Sequence, residues 1–255
     1  MAFELCSTAA THVGCFRTSN QDSYLCAPDL GIWAVADGMG GYFGGERASA
    51  LVVKALKQAL VHNAGMVTGI DSKIATVRAA IADVNGQIFR EAQASGQKMG
   101  STVVALVIEN DRYAVLWAGD SRAYLLRGAR ADCLTRDHSQ AQELVSAGLL
   151  DPGEARSHPL AHILVRAVGV LAETTVEHVE GHIVEGDMFL LSSDGLHNLV
   201  TAAEMIEVAG QNDFDGVVER LIELGLERGA PDNITICMAS VRGSASAQAL
   251  PAGSL

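Results

Sequence analysis

Asp37 ends the apolar stretch "GIWAVA" and is followed at once by glycine, in "VADGMGG". The pattern returns three times. Asp194-Gly195 closes "FLLSSDG", Gly119-Asp120 closes "VLWAGDS", and Asp232 stands directly before the strand candidate of "APDNIT". Any one of these reads as a turn, because Asp and Gly are ordinary turn formers. The four together imply more. A rigid sheet can aim short side chains from several strand ends at one point, and carboxylates gathered there repel one another where the dielectric is low. Something positive must hold them. Carboxylates without a Cys or His partner suit hard, oxygen-loving ions such as Mg²⁺ or Mn²⁺. A glycine after the carboxylate also lets a backbone carbonyl approach the ion. Upstream, "RTSNQD" places Arg17 five residues before Asp22. The guanidinium fork matches phosphate oxygens. Beside a carboxylate-held metal centre it points to phosphoester chemistry, in which paired metals acidify water and neutralise phosphoryl charge.

The elements that must position these residues come in blocks. Ala48, Leu51, Val52, Ala55, Leu56, Ala59 and Leu60 follow a helical period from Glu46 onward. A second helix is expected to open at Asp71 as its N-cap, with Ile74, Val77, Ile81, Val84 and Ile88 on one face. "TVVALVI" and "YAVLWAG" flank a short polar connection and predict a hairpin. "SRAYLLRG" follows so closely that it predicts a third antiparallel strand, since a parallel crossover needs about a dozen residues. Residues 139–169 read as a short helix and an irregular stretch. Strands return at Asp187–Ser193 and Ile234–Val241, with helices near 202–211 and 214–228 between them. Blocks of helices and antiparallel strands, without βαβ alternation, predict an α+β domain with helices outside sheet.

Composition excludes several alternatives. Of 255 residues 49% are hydrophobic and 19% charged, which is globular rather than disordered. The net charge of −12 repels nucleic acid and anionic membrane. No run approaches the roughly 18 apolar residues of a membrane span, and "MAFELCSTAATHVG" lacks the pattern of a secretory signal. A cytoplasmic protein is expected. Five scattered cysteines without a C-x-x-C pair argue against a disulfide framework or thiolate zinc, and predict small apolar side chains.

In order, "RTSNQD", "VADGMGG", "GST", "GDSR", "LTRDHS", "RAVG", "SSDG" and "PDNIT" resemble the motif series of the metal-dependent type 2C protein phosphatases, from Arg17 to Thr235. The resemblance is to compact bacterial members. It implies a central antiparallel β-sandwich flanked by helices on both outer faces, four layers αββα, over residues 1–242, with 243–255 a flexible tail. It also implies a site. Asp37 would bridge two Mn²⁺ or Mg²⁺ ions, with the Gly38 carbonyl on one, and Asp194 and Asp232 would hold the other. Asp22 would reach the metals through water. Asp120, with Asp194, would hold a weaker third ion, and Arg17 would bind the substrate phosphate. Residues 146–165 resemble a mobile flap that influences substrate choice.

The implied reaction is hydrolysis of protein phosphoserine and phosphothreonine by a metal-activated water, without a phosphoenzyme. The expected partners are phosphorylated proteins, including a Ser/Thr kinase or its substrates, and the chain is expected to act as a monomer. The alternative is a catalytically weak member that binds phosphoproteins as a regulator. Two positions depart from the pattern. Met39 replaces a histidine that many members use as a candidate acid, and Gln21 replaces an acidic residue, which is expected to loosen the hydration around the metals. His138, in "DHS", reads equally as a structural hydrogen-bonding group or a chemical one. His158 and His162 are expected not to touch substrate, and Arg122 to pin a loop through an ion pair.

Overall fold

The computed structural model describes residues 3–41 and 44–243. The tail expected to be flexible lies, beyond Gly243, outside the described residues. Among the described residues eleven strands build two antiparallel sheets. One contains β1 (Phe3–His12), β7 (Arg122–Arg127), β8 (Arg130–Cys133), β10 (Met188–Ser192) and β11 (Ile234–Gly243), in the order β1-β11-β10-β7-β8. The other contains β2 (Asp22–Ala27), β3 (Ile32–Gly40), β5 (Val103–Glu109), β6 (Arg112–Ala118) and β9 (Glu177–His182), in the order β2-β3-β5-β6-β9, with β4 (Met99–Ser101) paired to the end of β3. Between the sheets lies a core of Trp33, Val35, Leu106, Val115, Phe189 and Leu191, among others. Tyr113 meets Phe189 edge-on, with ring centroids 4.9 Å apart.

Helices cover both outer faces, so the layers are αββα as expected. On the β3 sheet lie α1 (Gly44–His62) and α2 (Ile70–Ser95). Ala48, Val52, Leu56 and Leu60 of α1 recur every four residues and are buried against the strands, each larger one contributing about 1.5–3 kcal/mol. The other sheet carries α4 (Asp194–His197), α5 (Ala202–Gln211) and α6 (Phe214–Glu227). Thr201 and Glu204 form a capping box on α5, and Asp213 caps α6 by accepting from Gly216 N. A short α3 (Gln140–Ser146) stands beside the sheets with Ser139 as its cap. Among the described residues no helix is long and apolar enough to cross a membrane.

Several expectations are corrected. The "SRAYLLRG" strand, β7, does not extend the hairpin but crosses to the other sheet. Its side chains explain this: Ala123 and Leu125 face the inner core while Tyr124 and Leu126 face the helices, so it needs cover on both sides. The polar "EHVEGH" of β9 takes the exposed edge next to β6 instead. Gly119, at φ +118 and with Thr102 2.7 Å from where a Cβ would sit, makes the turn that redirects the chain. The N-cap of α2 is Gly69, and Asp71 lies inside its first turn. Cys237 is buried facing Cys26, whereas Cys15 and Cys133 are exposed rather than packed; all five thiols are free.

Candidate active site

The apolar run that leads to Asp37 does not stop there. β3 continues to Gly40 and changes partner as it passes the carboxylate: Val35 is the last residue paired with β5, and Gly38 the first paired with β4. Thr102 lies at the split. Its hydroxyl accepts from Asp37 N at 2.9 Å and its N–H donates to Asp37 O at 2.8 Å. Gly38 has no room for a side chain, since a Cβ there would sit 2.1 Å from Gly45 O. Sequence reasoning treats Asp37-Gly38 as a strand breaker; the ladder to β4 overrides that propensity.

Four of the expected carboxylates line one cleft of about 1010 Å³: Asp37, Asp120, Asp194 and Asp232, with Arg17 and Gly38. They come from both sheets. Asp120 follows β6, Asp194 opens α4 just after β10, and Asp232 precedes β11. Asp22 is set behind this wall, 9% exposed. It stands directly opposite Asp37 in the β2–β3 ladder. Ser193 joins the sheets here, donating to Asp22 Oδ2 at 2.8 Å while accepting from Thr235 N at 2.9 Å. Asp22 Oδ1 is buried without a hydrogen-bond partner.

The charges act on one another. Burial pushes the Asp37 carboxyl well above the usual range, and Asp22, Asp194, Asp120 and Asp232 add to the shift. Asp37 keeps some exposure to the cleft, but the crowded walls withdraw most of its solvation. Burial likewise raises Asp120 to about 7, with Asp194 and Asp137 next in effect, and Asp22 to about 6. Two of the four lining carboxylates are steadied by neighbours. Asp232 Oδ2 takes Arg17 Nη2 at 2.7 Å and its Oδ1 accepts from Asn233 N at 2.8 Å. Asp194 Oδ2 accepts from Asn198 Nδ2 at 3.2 Å. As the side chains stand, no three acidic, imidazole or thiol groups among the described residues are gathered closely enough to hold an ion. The donor set nevertheless fits a hard divalent cation: every donor is oxygen, the carboxylates destabilise one another, and one buried oxygen lacks a partner.

Supporting residues appear that sequence reasoning did not weigh. Asn233, inside "PDNIT", accepts from Gln21 N at 2.8 Å and donates to Val13 O and Ser19 O, tying the Arg17 loop to the start of β11. His138 proves structural. Its Nδ1 accepts from Gly119 N at 3.1 Å, next to Asp120, and its Nε2 faces Glu177 at 3.2 Å. Burial lowers its pKa. Arg122 pins its loop as expected, with both arms on Asp137 at 2.8 and 2.7 Å. His162, expected not to touch substrate, has its imidazole in the lining of the cleft, 3.7 Å from Asp194 Oδ2, a contact that raises its pKa. A lone histidine in an irregular stretch gave no signal of this. Ile163, Leu164 and Val165, at the end of the 146–165 stretch, also line the cleft, anchored by Gln140 N on Ile163 O and Val165 N on His138 O.

The sequence profile of the protein phosphatase 2C family matches residues 17–234, the span that contains Arg17 and the five aspartates Asp22, Asp37, Asp120, Asp194 and Asp232. The chain belongs to the protein phosphatase 2C family. It is 36% identical over 231 residues to the serine/threonine protein phosphatase PstP of Mycobacterium tuberculosis, covering 89% of this chain but 43% of that one. The chain thus spans less than half the length of that relative. Among solved structures, PppA, a regulatory component of T6SS in Pseudomonas aeruginosa, superposes with a TM-score of 0.82 at 37% identity, over 93% of this chain and 97% of that one. The catalytic domain of PstP in complex with two manganese ions superposes with a TM-score of 0.80 at 33% identity, over 94% and 100%.

Proposed function

We propose that this protein phosphatase 2C member hydrolyses phosphoserine and phosphothreonine esters on proteins, with Mn²⁺ or Mg²⁺ held by Asp37, the Gly38 carbonyl, Asp194 and Asp232. The observation that carries the reading is the convergence of four carboxylates from both sheets on one cleft, with Arg17 beside them. Asp22, set behind Asp37, would act through water, and Asp120 with Asp194 would hold a weaker third ion. Two ions bound here would polarise the phosphoryl oxygens and lower the pKa of water between them. The chain's own part is to orient and to balance charge. Thr102 fixes the Asp37 backbone at the point where β3 changes partner, and Asn198 and Asn233 hold Asp194 and Asp232 in place. Arg17 is paired with Asp232; a cation on Asp232 would free the guanidinium for the substrate phosphate, whose oxygens match its fork. No nucleophilic side chain is required. Met39 cannot give a proton to the departing alkoxide, so that proton is assigned to water.

The weak, regulatory reading is not favoured, because every expected carboxylate is present. The proposed substrates are phosphorylated proteins, among them a Ser/Thr kinase or its targets. Cytoplasmic location and monomeric action belong to the same reading, to be checked by fractionation and light scattering. The decisive experiment measures turnover of matched pSer, pThr and pTyr peptides with and without Mn²⁺, beside Asp37→Ala. The expected result is Mn²⁺-dependent release of phosphate from pSer and pThr that falls more than about a hundredfold in the variant. Metal-independent turnover, or full activity in the variant, refutes it.

A further inference from the structure

The lining of the cleft is not all charged. Met39, Val170 and Leu171 line it as well. Val170 and Leu171 remain 49% and 61% exposed, and exposed apolar side chains grouped beside a polar site mark a binding surface.

β3 explains where this patch begins. Met39 lies two residues beyond Asp37, so both side chains leave the same face of the strand, about 7 Å apart along it. Gly100 stands opposite Met39 in the β3–β4 ladder. A Cβ on Gly100 would lie 3.3 Å from Met39 Cγ and 2.8 Å from Val170 Cγ2. Both side chains therefore lean over the same glycine and form one apolar surface.

The segment that carries Val170 and Leu171 is clipped from behind. Ser101 and Val168 exchange backbone hydrogen bonds of 2.9 and 2.8 Å. Asn85 of α2, 1% exposed, turns its whole amide onto the same loop. Its Nδ2 donates to Leu171 O and Ala172 O, both at 3.1 Å, and its Oδ1 accepts from Gly169 N at 2.7 Å. Gly169 adopts φ +85, and a Cβ there would sit 2.2 Å from Ile88 Cγ2. The turn thus rests directly on the helix, and three bonds from one buried amide decide where Val170 and Leu171 stand.

We propose that Met39, Val170 and Leu171 form a subsite for an aliphatic side chain of the phosphoprotein substrate, one or two residues from the phosphorylated residue, and that Asn85 is the positioning residue that sets it. The proposal rests on the phosphatase reading above. An extended peptide advances about 3.3–3.6 Å per residue, so two residues span the separation of Asp37 from Met39. An aliphatic side chain would lose water against three apolar neighbours, while an acidic one would add to a cleft already crowded with carboxylates.

The test compares kcat/KM, at saturating Mn²⁺, for two phosphothreonine peptides that differ only in Leu or Asn at the flanking positions. The expected preference for Leu is about tenfold, the low end of discrimination by an apolar pocket. In the double variant Val170→Ser, Leu171→Ser the ratio falls to near one, and in Asn85→Ala it falls by at least half. A partly unfolded preparation lowers both rates alike and keeps the ratio, so the ratio separates positioning from stability. A wild-type ratio near one, or one that survives the double variant, overturns the subsite; survival in Asn85→Ala overturns the role of Asn85. Should the wild type turn over neither peptide, the phosphatase reading fails instead. Fluorescence anisotropy of the same labelled peptides then decides the subsite, with equal Kd for the Leu and Asn forms refuting it.

Discussion

Asp22→Asn in the metal-free protein is the sharpest test of how the site is held. Asp22 and Asp37 are direct cross-strand partners, and like charges so placed, with Cβ atoms about 4.5–5.5 Å apart, destabilise a sheet. Burial is the main cause of the raised Asp22 pKa; the nearby Thr235 and Ser193 hydroxyls oppose it, and Asp194 and Asp232 add to it. A carboxyl moved from 3.8 to about 6 costs the folded protein about 3 kcal/mol once ionised. The folded pKa lies above the unfolded one, so the penalty is full above pH 7. It is lost as pH falls through 6 toward 4. The amide keeps an acceptor for Ser193 and removes the charge. In EDTA at pH 8 the variant should therefore melt up to roughly 6–10 °C higher than the parent, and the gap should shrink to about half at pH 5. Adding Mn²⁺ should raise the parent's midpoint more than the variant's. A variant less stable than the parent at pH 8, or a gap that does not change with pH, would refute the reasoning.

Arg17→Ala removes charge-assisted hydrogen bonds to phosphate worth about 1.5–3 kcal/mol, so kcat/KM should fall about 10- to 100-fold, mostly in KM. A normal KM would place the phosphate elsewhere. Asp120→Ala should empty the third ion position while leaving the main pair occupied, read from anomalous-scattering maps of manganese-soaked crystals; full occupancy at every position contradicts the assignment. Phe189→Ala, at a fully buried position between the sheets, should lower unfolding free energy by about 3–5 kcal/mol in urea titrations, and a loss under about 1 kcal/mol would mean the inner core is not packed as described.

The carboxylates that share the cleft were legible in the sequence because most sit in short motifs with local meaning: a carboxylate beside a glycine at the edge of an apolar run. The helices were legible because α1 and α2 each bury one face. What stayed hidden depends on long-range pairing. Nothing local says that β7 leaves β6 for the other sheet, or that the N-terminal strand β1 pairs with β11, more than two hundred residues away. β3 was seen to end at Asp37 because local propensity ends it there, while its continuation depends on β4, three residues long and far along the chain. Asn85 was read only as part of a helix. Its amide matters because the 168–172 loop folds back over α2, which no spacing in the sequence reveals.

Ser193 already reaches from one sheet to Asp22 on the other, and the carboxylates around it are divided between the two layers. Any cation shared among them is a rivet through the sandwich. Its removal would leave the layers joined by apolar contact and by hydrogen bonds such as that of Ser193, but pushed apart by charge at one end. Resistance to unfolding in this protein should therefore track the divalent-ion activity of its surroundings, so that the fold itself reports whether the site is filled.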